Sequence, residues 1–252
     1  MNVFILASLL GCGSVGQDSF DEGLSTLRAG DFNNASSSFS EALGQGARDP
    51  AVYHGLGNSL YRLGKVGPAM AAWRRGLALA PRNGDIAANM DLARKGLKDR
   101  LEPPTTHRGV FFWQSALSPL ESGIFAAVAM ALGLWIMVVG RVKALRRRAP
   151  LSSAAGWVAG VSGILGVLVA LSTIDAVNQR RGAVIVASVV DVRSALGPSG
   201  VSLFVLHEGA EVSIADATET HKLIALADGR KGWVTARALL TTDPSAAFVL
   251  AQ

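Results

Sequence analysis

The chain has 252 residues, half of them apolar, and a mean hydropathy of +0.33. The apolar content lies in blocks, the texture of membrane segments rather than of one greasy core. A single cysteine, Cys12, excludes a disulfide framework and a cysteine-rich metal site. The formal net charge of +5 matches the cations Arg141, Lys143, Arg146, Arg147 and Arg148, and the rest of the chain is nearly balanced. The basic character therefore marks a loop beside a membrane, not a nucleic-acid partner.

Residues 1–17 open with an apolar run from Val3 to Leu10, the length of a signal-peptide core and too short to span a bilayer. No Lys or Arg precedes it. Leu9-Leu10-Gly11-Cys12 resembles a lipoprotein cleavage box, which makes Cys12 a candidate lipidation site. The alternative is an ordinary export signal cut near residues 11–17.

Residues 18–100 read as helices joined by short Gly/Pro-marked turns. Gly30-Asp31-Phe32 is followed by Ala35, Phe39 and Ala42. Thirty-four residues on, Gly64-Lys65-Val66 is followed by Ala69, Trp73, Gly76 and then Pro81. Tyr53, Leu56, Gly57 and Leu60 precede the second turn with the large, medium, small, large order of a first helix. Small residues let paired helices approach, and aromatic residues fill the gap between neighbouring hairpins. The period and these residues resemble the tetratricopeptide repeat. The first copy runs on through Gly44–Ala47 before Pro50, and Asp85–Lys98 resembles a capping helix. Two repeats and a cap approach the minimum for a self-standing stack.

Residues 101–121 form a linker with Pro103-Pro104 and the aromatic cluster Val110–Trp113, which suits a membrane interface. Residues 122–140 hold no charge and are long enough for a transmembrane helix. Residues 152–174 are a second such span, with Gly156, Gly160 and Gly163 as a candidate close-packing face. Residues 141–151 between them hold the five cations, and Lys and Arg stay in the cytoplasm. The loop is thus expected inside and both flanking parts outside, in agreement with an exported N-terminus.

From residue 183 to 242 the texture changes to short alternating strands rich in valine and isoleucine, with a tight turn at Asp228-Gly229. Val192-Arg193-Ser194, Leu206-His207-Glu208-Gly209 and Asp228-Gly229-Arg230-Lys231-Gly232-Trp233-Val234 stand in the order of the bacterial SH3 module and resemble it. That resemblance implies a small all-β barrel with Trp233 in its core. Where such modules often carry an aromatic residue for a peptide ligand, this chain has His221. Residues 243–252 read as a tail.

The whole order is similar to the BatE-type members of the bacterial aerotolerance (Bat) group. The expected fold class is multidomain: all-α tetratricopeptide-like hairpins, a two-helix transmembrane hairpin and an SH3-like barrel. The resemblance implies a multi-pass protein of the bacterial inner membrane with both outer modules in the periplasm. It also implies partner membrane proteins with von Willebrand type A domains and an associated cytoplasmic MoxR-type ATPase.

No nucleophile motif, phosphate-binding loop or metal-ligand spacing is present, so no catalytic residue, cofactor or metal is expected. The spans hold no internal ionisable residue, which weighs against transport. The expected role is a non-enzymatic scaffold, with Asn58 and Arg62 on the concave face of the repeats as partner-binding residues. Asn58 has the donor and acceptor to hold a peptide backbone and Arg62 the charge to hold a carboxylate. The alternative is a peptidoglycan-binding or envelope-stress sensor acting through the SH3-like part.

Overall fold

The computed structural model describes residues 16–99, 101, 119–147, 157, 160–169, 171, 182–196 and 200–248. The export signal with Cys12 and most of the linker lie outside the described residues. The chain forms two compact units. One joins Met1–Thr105 with Arg180–Gln252, and the other is the intervening Thr106–Gln179.

The first unit opens with five helices: α1 (Gln17–Ala29), α2 (Phe32–Gly44), α3 (Pro50–Arg62), α4 (Val66–Leu79) and α5 (Gly84–Lys95). Their starts are set by local chemistry. The Asp31 carboxylate accepts from the Asn34 amide (3.1 Å) and that of Asp49 from the Ala51 amide (2.7 Å). The Asn83 side chain does the same for the Ile86 amide (3.1 Å). The turns between the paired helices need φ values of +80° at Gly30 and +78° at Gly64, which glycine adopts without strain.

The thirty-four-residue spacing read from the sequence is a packing period. Phe39 and Trp73 occupy equivalent places on α2 and α4, and each lies against a glycine of the preceding helix. A Cβ at Gly23 would stand 2.8 Å from the Phe39 ring, and one at Gly57 would collide with the Trp73 indole. Phe39 also fills the space over Gly55 of the next hairpin. Both rings are buried, among Leu56, Leu60, Met70 and Met90.

After the apolar segment come seven strands: β1 (Gly182–Ile185), β2 (Val189–Arg193), β3 (Ser202–His207), β4 (Glu211–Ala217), β5 (His221–Ala225), β6 (Lys231–Thr235) and β7 (Leu239–Thr241). They make one sheet in the order β3-β2-β6-β5-β4-β1-β7, antiparallel at each pairing. Ile185, Val192, Val212, Ile224 and Val234 form its core. The Asp228-Gly229 turn is present, with Gly229 at φ +87° and Asp228 bonded to Arg230. Those bonds hold the Asp228 carboxyl below its ordinary value.

The expectation of a core tryptophan is corrected. Gly232 and Val234 face inward on β6, and strand alternation turns Trp233 to the other face, where it is half-buried. Gly232 is the residue pressed against Val192, so this register leaves the indole outside.

The helical and β parts share one core. Val184 and Leu240 are buried in the cluster that holds Phe39 and Trp73, and Val186 and Phe248 pack against it. A Cβ at Gly67, in the first turn of α4, would meet the Ile185 carbonyl oxygen and the Val186 backbone. The divisions read at residues 100 and 183 therefore separate segments of sequence, not independent bodies. The tail read at 243–252 is likewise part of the fold as far as Phe248, the last described residue.

The second unit contains α6 (Pro119–Arg147), within which the 22 residues Glu121–Val142 are long and apolar enough to cross a membrane. Its apolar side chains, among them Phe125, Leu134 and Trp135, are exposed. The helix runs past residue 140 to Arg147, so the basic stretch begins as the last helical turns rather than as a loop. The second apolar segment is described as a shorter helix, α7 (Gly160–Val169); the remainder of 152–174 is mostly outside the described residues. Close packing uses other positions than those expected. Gly133 lies against Ser162 and Gly166 against Met130, while a Cβ at Gly160 or Gly163 would meet nothing among the described residues. Ser162 and Gly166 are one turn apart and so share a face, from which Gly163 is rotated. Gly156 is outside the described residues.

Gly23→Ala and Gly57→Ala are each expected to lower stability by about 1–3 kcal/mol through overpacking. Equilibrium denaturant unfolding of the purified chain measures this. Gly84→Ala, where a Cβ meets nothing, is the matched control.

Candidate functional site

Two features of the first unit carry functional chemistry: a groove on the helical part and the seam between the helices and the sheet. The groove has a volume of about 510 Å3 and is lined by Leu27, Arg28, Gly30, Phe32, Asn58, Tyr61, Arg62, Trp73, Asn89 and Leu92. The first helix of each hairpin (α1, α3) and the cap α5 supply most of it, as the sequence pattern implied for the concave face. The structure thus brings Asn58 and Arg62 together in one site.

Neither residue stands alone there. Asn58 Oδ1 accepts from the Trp73 indole Nε1 (3.2 Å) and from Asn89 Nδ2 (2.9 Å). Asn89 Nδ2 also lies 3.1 Å from His54 Nε2. The Arg62 guanidinium sits over the Phe32 ring, 4.9 Å from its centroid, a cation–π contact that positions the charge at the rim. Tyr61 tilts against Trp73 with ring centroids 5.5 Å apart, giving the groove an aromatic floor. Two cations, Arg28 and Arg62, and no acid occur among the lining residues. The arrangement suits a short extended segment with an apolar side chain on the floor and a negative charge at the rim. A volume of this size lies within the ~300–1,000 Å3 range of ligand sites.

His54, Arg28, Tyr61 and Asn89 were not singled out in the sequence as site residues. The spacing of His54, Asn58 and Arg62, four apart on one helix, places them on a single face and is the signal that identifies His54. Burial holds its imidazole below the ordinary value, although the charge of Asp85 pulls the other way.

The seam is built from charges. Glu211 of β4, 7% exposed, receives both Arg74 of α4 and Arg94 of α5, the latter at 2.8 Å, and Arg94 also holds Asp91 at 2.7 Å. Glu208, in the turn between β3 and β4, accepts from the Gly67 amide at 2.8 Å and so caps the start of α4, where Lys65 offers no side-chain cap. Asp99 accepts from the His207 amide (2.6 Å) and ring Nδ1 (3.0 Å), and Lys98 Nζ lies 2.8 Å from Nε2 of the same ring. Arg75 is fully buried. It donates to the carbonyls of Thr241 (2.9 Å), Ala246 (2.7 Å) and Ala247 (3.4 Å), and its guanidinium lies 4.8 Å from the Phe248 ring centroid. The Tyr53 hydroxyl donates to the Pro244 carbonyl at 3.0 Å. Burial lowers the Arg75 pKa, but a guanidinium remains charged at any working pH. Among the described residues no group of His, Cys, Asp and Glu is arranged to hold a metal ion.

Removing Glu211 (Glu211→Ala) takes away the shared partner of Arg74 and Arg94, which are partly exposed, and a loss of about 1–3 kcal/mol is expected. Glu208→Ala is expected to cost about 1 kcal/mol as a lost helix cap; denaturant unfolding reads both. The histidine gives a pH signature. Its folded value is below its unfolded value of 6.5, so the unfolded chain takes up the proton first as pH falls. Stability is then full above 6.5 and declines below it until the folded value is reached. His54→Gln, which accepts without titrating, should remove that decline when its unfolding free energy is compared with wild type from pH 7.5 to 5. A comparison of the chain with protein families, curated proteins and solved structures finds no match.

Proposed function

We propose that the chain is a membrane-anchored docking protein, a non-enzymatic scaffold of a Bat-type envelope complex, with its folded unit on the outer side of the bacterial inner membrane. The observation that carries this reading is the shared core. Residues before the apolar segment and residues after it fold against each other, and a bilayer cannot run through that core. The chain between them must then cross the membrane an even number of times. Two apolar segments flanking a basic stretch supply two crossings, and retention of the cations in the cytoplasm puts the folded unit outside.

The helical hairpins with a thirty-four-residue period support a tetratricopeptide-like stack, and the short strands with their LHEG and GW motifs support an SH3-like module. The groove is the docking site in this reading. Asn58 and Arg62, with Arg28 and the Tyr61–Trp73 floor, hold an extended segment of a partner membrane protein, a von Willebrand type A domain protein being the partner that the architecture suggests. The span helices anchor the protein in this reading, and their lack of internal charge weighs against a transport role.

One observation favours a second reading, binding to the cell wall. The half-buried Trp233 leaves an aromatic face on the outer side of the sheet, which is the kind of surface a sugar or wall peptide uses. Sedimentation of the intact protein in micelles with purified peptidoglycan, abolished by Trp233→Ala, would support it. Co-purification of type A domain proteins, lost in an Asn58→Ala/Arg62→Ala variant, supports docking.

The topology is tested by fusions. A reporter active only in the cytoplasm is expected to be bright at Ala144, and one active only after export to be bright after Gln252. A silent reporter at Ala144 with a bright cytoplasmic reporter after Gln252 would overturn the reading.

A further inference from the structure

Trp73, Asn58, Asn89 and His54 form a relay with a fixed direction. An indole N–H can only donate, so Asn58 must turn its oxygen to Trp73 (3.2 Å). That same oxygen then requires an N–H from Asn89, whose nitrogen lies 2.9 Å from it. The Asn89 nitrogen also meets His54 Nε2 at 3.1 Å, and this ring nitrogen is left to accept. A neutral imidazole with its proton on Nδ1 satisfies all three contacts.

An imidazolium cannot keep this order. Both its nitrogens donate, so Nε2 would face the Asn89 NH2 donor to donor. Reversing the Asn89 amide repairs that contact but sets its oxygen against the oxygen of Asn58. Reversing Asn58 in turn sets its NH2 against the Trp73 indole N–H. The conflict moves along the relay and has no resolution while the four side chains remain in place, and partly buried polar groups without partners cost about 1–3 kcal/mol.

We propose that protonation of His54 is an acid-operated switch of the groove: it breaks the relay through Asn89 and Asn58 to Trp73, reorganises the groove floor and releases a segment held there at neutral pH. Burial, more than any neighbouring charge, sets how readily the ring takes up the proton. Asp85 of α5 is the acid that attracts the proton. On α3 itself the charge is Arg62, which lies over the Phe32 ring, and on α1 it is Arg28, both lining the groove. Glu41 of α2 is engaged with Gln45 at 3.1 Å, and Arg74 and Arg75 of α4 are committed to the seam. A folded unit outside the cytoplasmic membrane meets the pH of its surroundings, so such a switch would operate there. The inference rests on the groove being the docking site, but the relay is read on the protein itself, so the two fail separately.

The test is an NMR titration of the full chain in detergent micelles from pH 7.5 to 5, following the indole N–H signal of Trp73, assigned with Trp73→Phe, together with the His54 ring. The Trp73 proton is expected to move upfield as its hydrogen bond is lost, with the midpoint of His54, below 6.5. In His54→Gln the movement is expected to vanish. In Asn89→Leu, which cuts the relay, His54 should still titrate while Trp73 no longer follows. A Trp73 signal that stays still while His54 titrates, or that moves equally in His54→Gln or Asn89→Leu, overturns the proposal.

Discussion

The helical and β parts are held in one alignment because polar groups on each side of the seam take partners from the other. Glu211 needs both Arg74 and Arg94, Gly67 takes its cap from Glu208, and Arg75 is buried against carbonyls of the C-terminal segment. Apolar burial of Val184 and Leu240 in the helical core supplies the attraction. The charges supply the specificity, since a shifted docking would leave a buried cation or carboxylate without partners.

From that constraint follow the proposed topology and the setting of the groove. Two stretches that meet in one core must lie on one side of the bilayer, whatever the segment between them does. Helix α4 ties the seam to the site: Trp73 points into the groove floor, and the next two residues, Arg74 and Arg75, reach the sheet and the tail. A stack of two hairpins and a cap is short, and here the sheet completes the core that further repeats would otherwise provide.

The parts legible in the sequence are those written in local patterns. The Gly30 and Gly64 turns, the Phe39 and Trp73 fillers and the Asp228-Gly229 hairpin each follow from residues close in the chain. Asn58 and Arg62 were legible as groove residues because the tetratricopeptide resemblance puts their positions on the concave face. The seam was not, because Arg74, Arg75, Glu208 and Glu211 each read locally as a surface charge. Their partners lie 117–172 residues away in the chain. Trp233 was misjudged because its motif does not specify the strand face, which Gly232 settles by pressing on Val192. The glycine face of the second apolar segment was misjudged because spacing marks several candidate faces and only the neighbour, Met130 and Gly133, selects one.

The central claim is that the seam and the shared core hold the N-terminal helices to the sheet. A cleavable leader joined at Gly16 removes the native export segment and Cys12, and a protease site placed within residues 102–118 then allows the intact chain in nanodiscs to be cut. The helical fragment should remain with the nanodiscs after cleavage at physiological salt, and leave them when Glu211→Ala and Leu240→Ala are combined. Immediate release of the fragment from the unmutated protein would contradict the account.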